Sequence, residues 1–345
     1  MVEAFAPGKL LLTGEYAVLG GAPAVTVALG GPAAASVRDS AHWGLETSAA
    51  GGSWTFDLEM PARVVWRGSP PSEVVDLPAA VLAEVLRHWP GELLAGPREL
   101  RLDTTAFVHQ VAGKPVKLGL GSSAALVAAL AGALLAACGI AAEATALRSL
   151  CLAAHRRFQG GRGSGVDVLT AIHGGLLICT PQTGDLQAEP LQWPSALHLV
   201  VAWTGQSAST PALISRYDEF RAQRPSVFEQ HAARLRAAAE AAANAWRAGA
   251  VAGVLDSVTN YAAALRAIDG AGDIGIWTAA HDRFADLAAA AGAVYKTSGA
   301  GGGDLGYALT DSMDVADTYR EAVAAAGGRV LELSPGLRGL RVTGS

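Results

Sequence analysis

The chain has 345 residues, more than one domain usually holds, and its 51% hydrophobic and 17% charged content excludes a disordered polymer. A net charge of −5 with no basic tract argues against nucleic-acid and anionic-membrane partners, while the scattered Cys138, Cys151 and Cys179 fit a reducing compartment better than a disulfide or zinc scaffold. With no basic leader and no apolar run of spanning length, the expectation is a soluble cytoplasmic protein.

Residues 2–12 read as a strand with Pro7 and Gly8 early in it, and residues 22–29 as a second, buried one. Trp54, Phe56, Leu58 and Met60 alternate with Thr55, Asp57 and Glu59, the period of a half-buried strand, and residues 98–103 add another. A helix is predicted over 74–89, where Pro78 near the first turn does least harm, followed by helices over 122–138, 142–158 and 165–173. Gly174 and Gly175 stop the last of these, and residues 176–180 return as a strand. The polar stretch 181–194 is read as the boundary between a domain of residues 1–190 and one of residues 191–345. Beyond it lie a buried strand at 197–203 and arginine-studded alanine helices over 211–291, with breaks near Pro225, Gly249 and Gly270 to Gly275. Strands follow at 294–297, 305–309, 329–333 and 337–342, with a helix over 312–326. A few strands with helices over one face make an α+β domain.

Chemistry concentrates first in the sequence KLGLGSSAAL at 117–126. Its glycines let backbone approach a ligand, and Ser122 and Ser123 stand at the start of an Ala/Leu/Val helix whose free first-turn amides favour an anion. The letters also satisfy G-x-G-x-x-A, yet a dinucleotide loop should leave a buried apolar strand, and here Lys114 and Pro115 precede it. A Walker loop is excluded because Pro115 follows Gly113 and Lys114 where Ser or Thr is required. The lysines are Lys9, Lys114, Lys117 and Lys296, all within or beside glycine-rich segments, while arginine serves elsewhere; a compact point charge suits a phosphate there.

The segments APGKLLLTGEYAVL (6–19), GLGSSAA (119–125) and KTSGAGGGD (296–304), in this order and spacing, together resemble the GHMP kinase superfamily, named for galactose, homoserine, mevalonate and phosphomevalonate kinases. The resemblance implies an N-terminal domain like ribosomal protein S5 domain 2, a ferredoxin-like C-terminal domain, and ATP and acceptor bound between them. It implies that Lys117, Gly119, Gly121, Ser122, Ser123 and Ala124 cradle the ATP phosphates, that Ser123 or Ser122 helps hold Mg2+, and that Lys9 and Asp167 are the catalytic pair. It further implies substrate contacts from Glu15, Tyr16, His155, Ser164, Ser207, Lys296, Ser298, Gly299, Ala300 and Gly301.

Within the superfamily the resemblance is closest to the phosphomevalonate kinases, through AHRRFQG (154–160), GSGVDV (163–168), Trp203-Thr-Gly205 and Tyr16 where mevalonate kinases show histidine. Arg156 stands where mevalonate kinases place a metal-binding glutamate, a change that suits an acceptor which is itself a phosphate. The implied reaction is ATP-dependent phosphorylation of 5-phosphomevalonate, with mevalonate kinase or a non-catalytic sensor on the same fold as alternatives. The implied partner is a small molecule, with a homodimer left open.

Several residues carry plainer readings beside these. Asp167 on its own is a first-turn helix carboxylate, and His155 is equally a core histidine. Ser207, Ser209 and Thr210 before Pro211 are either caps or phosphate ligands. Trp43, Trp54 and Trp66 read as core rather than as an adenine slot.

Overall fold

The computed structural model describes residues 1–48, 51–111, 114–161, 163–183 and 185–344. Its spine is β1 (Val2–Thr13), antiparallel along its length to β2 (Ala24–Asp39). β2 runs well past the predicted end at Leu29. The register shifts between Ala6 and Gly8 and Gly30 takes a φ of 86°, so the pair bulges around Pro7 instead of ending there.

Beside the second half of β2 the sheet continues through β3 (Trp43–Thr47), β4 (Ser53–Glu59), β5 (Arg63–Trp66) and β6 (Arg98–Asp103), in the order β2-β6-β3-β4-β5. Trp43, Phe56 and Trp66 stack there at centroid distances of 5.6 and 4.8 Å, so the tryptophans at 43 and 66 are packing residues. Helix α1 (Ser72–His88) and the single turn α2 (Pro90–Leu93) connect β5 to β6. A separate hairpin, β7 (Val108–Val111) with β8 (Lys114–Lys117), holds Pro115 in a two-stranded ladder, where a missing N–H is tolerated.

Helix α3 (Ser122–Ala137) is apolar on every side and is buried from Ala124 to Leu135 except at Leu126. A helix without a polar face has no other stable place. It packs on β1 and β2, flanked by α4 (Ala144–Phe158) and α5 (Val166–His173). β9 (Leu176–Gln182) and β10 (Asp185–Leu191) then form a hairpin on the first half of β2. The polar stretch 181–194 therefore contains a strand. As an edge strand with Leu186 and Ala188 on one core and Leu191 against another, β10 has too few apolar residues to show a period of two.

A second sheet of β11 (His198–Trp203), β12 (Val294–Thr297), β13 (Leu305–Thr310) and β14 (Arg329–Leu331) is antiparallel in the order β12-β13-β11-β14. Between β11 and β12 run α6 (Thr210–Gln223), α7 (Pro225–Ala248), α8 (Val251–Gly272) and α9 (Ala279–Ala291), broken near the prolines and glycines that the pattern singles out. α9 and α10 (Met313–Ala325) cover one face of this sheet around Phe284, Tyr295 and Tyr319. α6 to α8 enclose a different core that also takes Tyr16, Ala17 and Ala22 from the first half of the chain. The final strand, β15 (Arg341–Thr343), pairs with β1 and not with the second sheet. Only part of the strand predicted at 337–342 forms. Leu337 instead laces the tail to the first sheet, donating to the Ala28 carbonyl and accepting from Gly175.

The glycine-rich loop after β12 rests on two buried polar anchors. Asp269, 8% exposed, accepts the backbone N–H groups of Gly275, Ile276 and Trp277 at 2.8, 2.9 and 2.8 Å, and the Ile276 carbonyl in turn accepts from Gly302. Fully buried His281 donates from Nε2 to the Gly303 carbonyl at 3.0 Å, so its Nδ1 accepts the Tyr295 hydroxyl at 2.8 Å. We predict that Asp269→Ala, which orphans three buried donors, lowers unfolding free energy by about 3 kcal/mol, measurable as a shift in urea midpoint. Burial pushes the His281 pKa down to about 4, against about 6.5 for an unfolded histidine. Between those values the unfolded chain holds a proton that the folded one does not, so stability rises with pH across that window and is lost as pH falls through it. His281→Gln should flatten the urea midpoint between pH 4 and 6.5; an unchanged slope would remove His281 as the source.

Candidate active site

At the N-terminus of α3 the N-cap, Gly121, sits in the left-handed region, and among the described residues no side chain bonds to the first-turn amides. Gly119 and Gly121 have φ values of 74° and 77°. Space also counts: a Cβ at Gly119 would collide with the Asp304 Cβ at 2.8 Å, and one at Gly121 would crowd the Lys9 Cγ at 3.1 Å. The Lys9 N–H donates to the Leu120 carbonyl at 2.9 Å. The close approach of strand to loop thus depends on glycine.

Lys9 emerges from β1 just past its bulge, and its Nζ is 3.6 Å from Asp167 Oδ1, with side-chain exposures of 9% and 33%. Asp167 lies in the first turn of α5. That helix is seated by Thr170, whose buried hydroxyl donates to the Val166 carbonyl at 2.8 Å and lies 3.1 Å from Thr26 Oγ1 on β2. His155, on α4, places Nε2 3.1 Å from Ser123 Oγ. Burial lowers the His155 pKa, with Asp167 opposing and Lys9 reinforcing that direction, so the ring near the two is held neutral. Lys9, Asp167, Ser123 and His155 come from four separate elements and meet at one point.

The third loop closes this point from the other half of the chain. Ser298 commits its hydroxyl to β1, donating to the Leu11 carbonyl at 2.9 Å and accepting the Leu11 N–H at 3.1 Å. Tyr16 is the centre of a three-residue turn with φ 60° and ψ −40°, a strained geometry, and its hydroxyl donates to the Ala300 carbonyl at 2.6 Å. Gly299 is near enough that a Cβ there would lie 3.9 Å from Lys9 Nζ, and a Cβ on Gly301 would lie 2.5 Å from Ile276. Glu15 and Lys296 pair at 2.5 Å with side-chain exposures of 2% and 0%. Just before α5, Ser164 Oγ accepts the Val166 N–H at 3.4 Å.

Other expected residues are open to solvent. Lys117 is exposed at the end of β8, Ser207 is exposed in the loop before α6, and Arg156 is exposed on the α4 turn that carries His155. Ser209 precedes α6 without a side-chain capping bond. Conversely, the structure adds Asp304, which the sequence reading leaves without a role. Its carboxylate lies against Gly119, its Oδ1 accepts the Ala208 N–H at 3.1 Å, and its backbone ties the 204–206 turn in place. Burial raises the Asp304 pKa, and Lys9 pulls it the other way. Its sequence signal is its place immediately after three glycines.

This arrangement suits a phosphate chain and a hard cation. Uncapped amides and two side-chain-free glycines make a cradle for phosphate oxygens, and Lys9 adds a positive charge. Among the described residues no group of three His, Cys, Asp or Glu side chains forms a metal site. The donors on hand, the Ser123 hydroxyl and the Asp167 carboxylate, match Mg2+, which takes few protein ligands and fills the rest from phosphate and water.

Comparison with known proteins agrees with this geometry. Residues 79–175 match the family described as GHMP kinases N terminal domain. The chain is 30% identical to the phosphomevalonate kinase of Streptomyces sp. (strain CL190), over 97% of each. It superposes on the Lin0012 protein from Listeria innocua with a TM-score of 0.89 at 22% identity, covering 100% and 99% of the two chains. It superposes on Streptococcus pneumoniae phosphomevalonate kinase, solved with phosphomevalonate and AMPPNP, with a TM-score of 0.76 at 20% identity, covering 97% and 99%. These two structures establish a common fold, and the nearly full-length sequence identity establishes the kinship: the chain belongs to the GHMP kinase superfamily and, within it, to the phosphomevalonate kinase family.

Proposed function

We propose that the protein transfers the terminal phosphoryl group of ATP to 5-phosphomevalonate, giving 5-diphosphomevalonate. The observation that carries this is the Lys9–Asp167 pair set at the uncapped start of α3, in a chain with near full-length likeness to a phosphomevalonate kinase. Arg156 in place of an acidic metal ligand supports a phosphate acceptor over mevalonate, and the intact catalytic pair argues against a non-catalytic sensor. The proposal includes a division into an ATP-binding unit, residues 1–190, and a second unit, 191–345; β10 ends the first sheet's hairpins at Leu191 and β11 opens the second sheet. It also places the protein in the cytoplasm, with its small-molecule substrates. No helix among the described residues is long and apolar enough to cross a membrane.

In this reading the first-turn amides of α3, with Gly119, Gly121 and Ser122, hold the ATP phosphates, and Ser123 with Asp167 would hold Mg2+. When bound, Mg2+ supplies positive charge across the phosphate oxygens. The His155 ring, held neutral, fixes the Ser123 hydroxyl from behind. Lys9 aims its ammonium at the charge that collects on the moving group, and Asp167 holds that ammonium in place. A phosphate monoester has a second pKa of about 6, so near neutral pH the attacking oxygen is already anionic and needs no base. Asp167 then orients more than it deprotonates.

The direct test is ADP release with 5-phosphomevalonate, mevalonate, homoserine and galactose offered side by side. Turnover with the first alone is expected, and turnover with mevalonate instead would reassign the enzyme. Lys9→Met should fold and bind ATP yet lose turnover by on the order of 10² to 10³, since its charge matters chiefly in the transition state. Turnover within a few-fold of wild type would take Lys9 out of catalysis. Asp167→Asn, which keeps shape and hydrogen bonding, should cost less turnover than Asp167→Ala, and wild-type rate should rise with pH through the acceptor's second ionisation. Equal loss in both variants, with a pH profile that ignores the acceptor, would instead make Asp167 a general base.

A further inference from the structure

Glu15 and Lys296 come from distant parts of the chain and form an ion pair with almost no access to solvent. Lys296 Nζ donates to Glu15 Oε1 at 2.5 Å and to the Thr297 carbonyl, and it lies 5.6 Å from the ring centroids of both Tyr261 and Tyr307. Glu15 Oε1 also accepts the Gly299 N–H at 3.3 Å, and the Glu15 carbonyl accepts the Tyr261 hydroxyl at 2.6 Å. The next residue, Tyr16, holds the strained turn. Through Glu15 the loop after β1 is thus tied both to α8 and to the loop after β12. The second of these loops lies against the ammonium of Lys9.

A charge pair so deeply buried is a weak source of stability, because desolvating both ions offsets their attraction, and apolar residues of similar size commonly do as well. What an ion pair adds is a fixed geometry, since an unpaired charge in that place is far worse than the paired one. Lys296 has 0% side-chain exposure, so no acceptor reaches it while the third loop is in place. We infer that Glu15 and Lys296 are positioning residues: together they fix the Gly299 peptide relative to Lys9, and they act on the transfer step without touching either substrate. This deepens the kinase reading above and replaces direct substrate contact as the role of both residues.

The test compares wild type with Glu15→Gln, Lys296→Met and the double variant, on whichever acceptor the wild-type protein turns over. Binding of AMPPNP with Mg2+, measured by calorimetry without acceptor, should stay within about twofold in every folded variant. Each single variant should lose about tenfold or more in kcat, with the ATP KM little changed. The double variant has no orphaned charge, and the glutamine amide oxygen that Glu15→Gln introduces can still accept the Gly299 N–H. It should therefore regain at least about threefold of the kcat that Lys296→Met loses. If Lys296→Met fails to fold, Glu15→Gln and the double variant carry the comparison. Wild-type kcat in the folded variants would reduce the pair to a structural one. A rise confined to acceptor KM, or a double variant as impaired as Lys296→Met despite a restored melting temperature, would make Lys296 a substrate contact. Turnover by the wild-type protein tests the kinase reading, whereas ratios among the four proteins test the pair, so the two fail separately.

Discussion

The first-turn amides of α3 need a partner, and among the described residues no side chain supplies one. Its N-cap is a glycine, the preceding loop has no capping side chain, and the helix behind it is too apolar to sit anywhere but the centre of the molecule. The free N–H groups therefore converge on a place fixed in space by a helix that is buried from Ala124 to Leu135 except at Leu126. Strand, loop and helix are packed so closely there that Gly8 and Gly119 have no room for a Cβ. That constraint favours an anion there as much as any individual side chain does.

Around that fixed point the fold arranges charge by burial. Buried Lys9 faces a partly exposed Asp167, burial lowers the His155 pKa, and Asp304 stands against Gly119 with a pKa raised by burial. A pair such as Lys9 and Asp167 gains directional strength where water is scarce, which is what aligning a phosphoryl group demands. The arginine at 156 stays at the surface, while Lys296 is committed inside.

The two halves of the chain are joined by polar contacts that a simple apolar interface would lack. Ser298 to Leu11, Tyr16 to Ala300, Tyr261 to Glu15 and Lys296 to Glu15 all cross the junction, and Tyr307 donates to the Leu12 carbonyl. Directional bonds of this kind select one relative placement of the loops, where apolar packing tolerates several. β15 reinforces the same placement by returning the end of the chain to β1.

Much of this was legible in the residues themselves. The three glycine-rich segments, the helix breaks at Pro225 and Gly249, the strand pattern of β4 and the anion-binding character of 119–125 are local properties, written in backbone preference and in the spacing of apolar residues. Edge strands such as β10 were not, because a strand with one half-covered face carries too little alternation to be seen. Nor could local pattern show that residues 341–343 close the first sheet, that Lys296 is paired with Glu15, or that Asp304 lies against Gly119. Those are contacts between residues far apart in the chain. Residue type decided which chemistry was possible at each position; only the packing of distant segments decided which charges stay open to solvent and which are sealed inside, because burial is a property of the whole molecule.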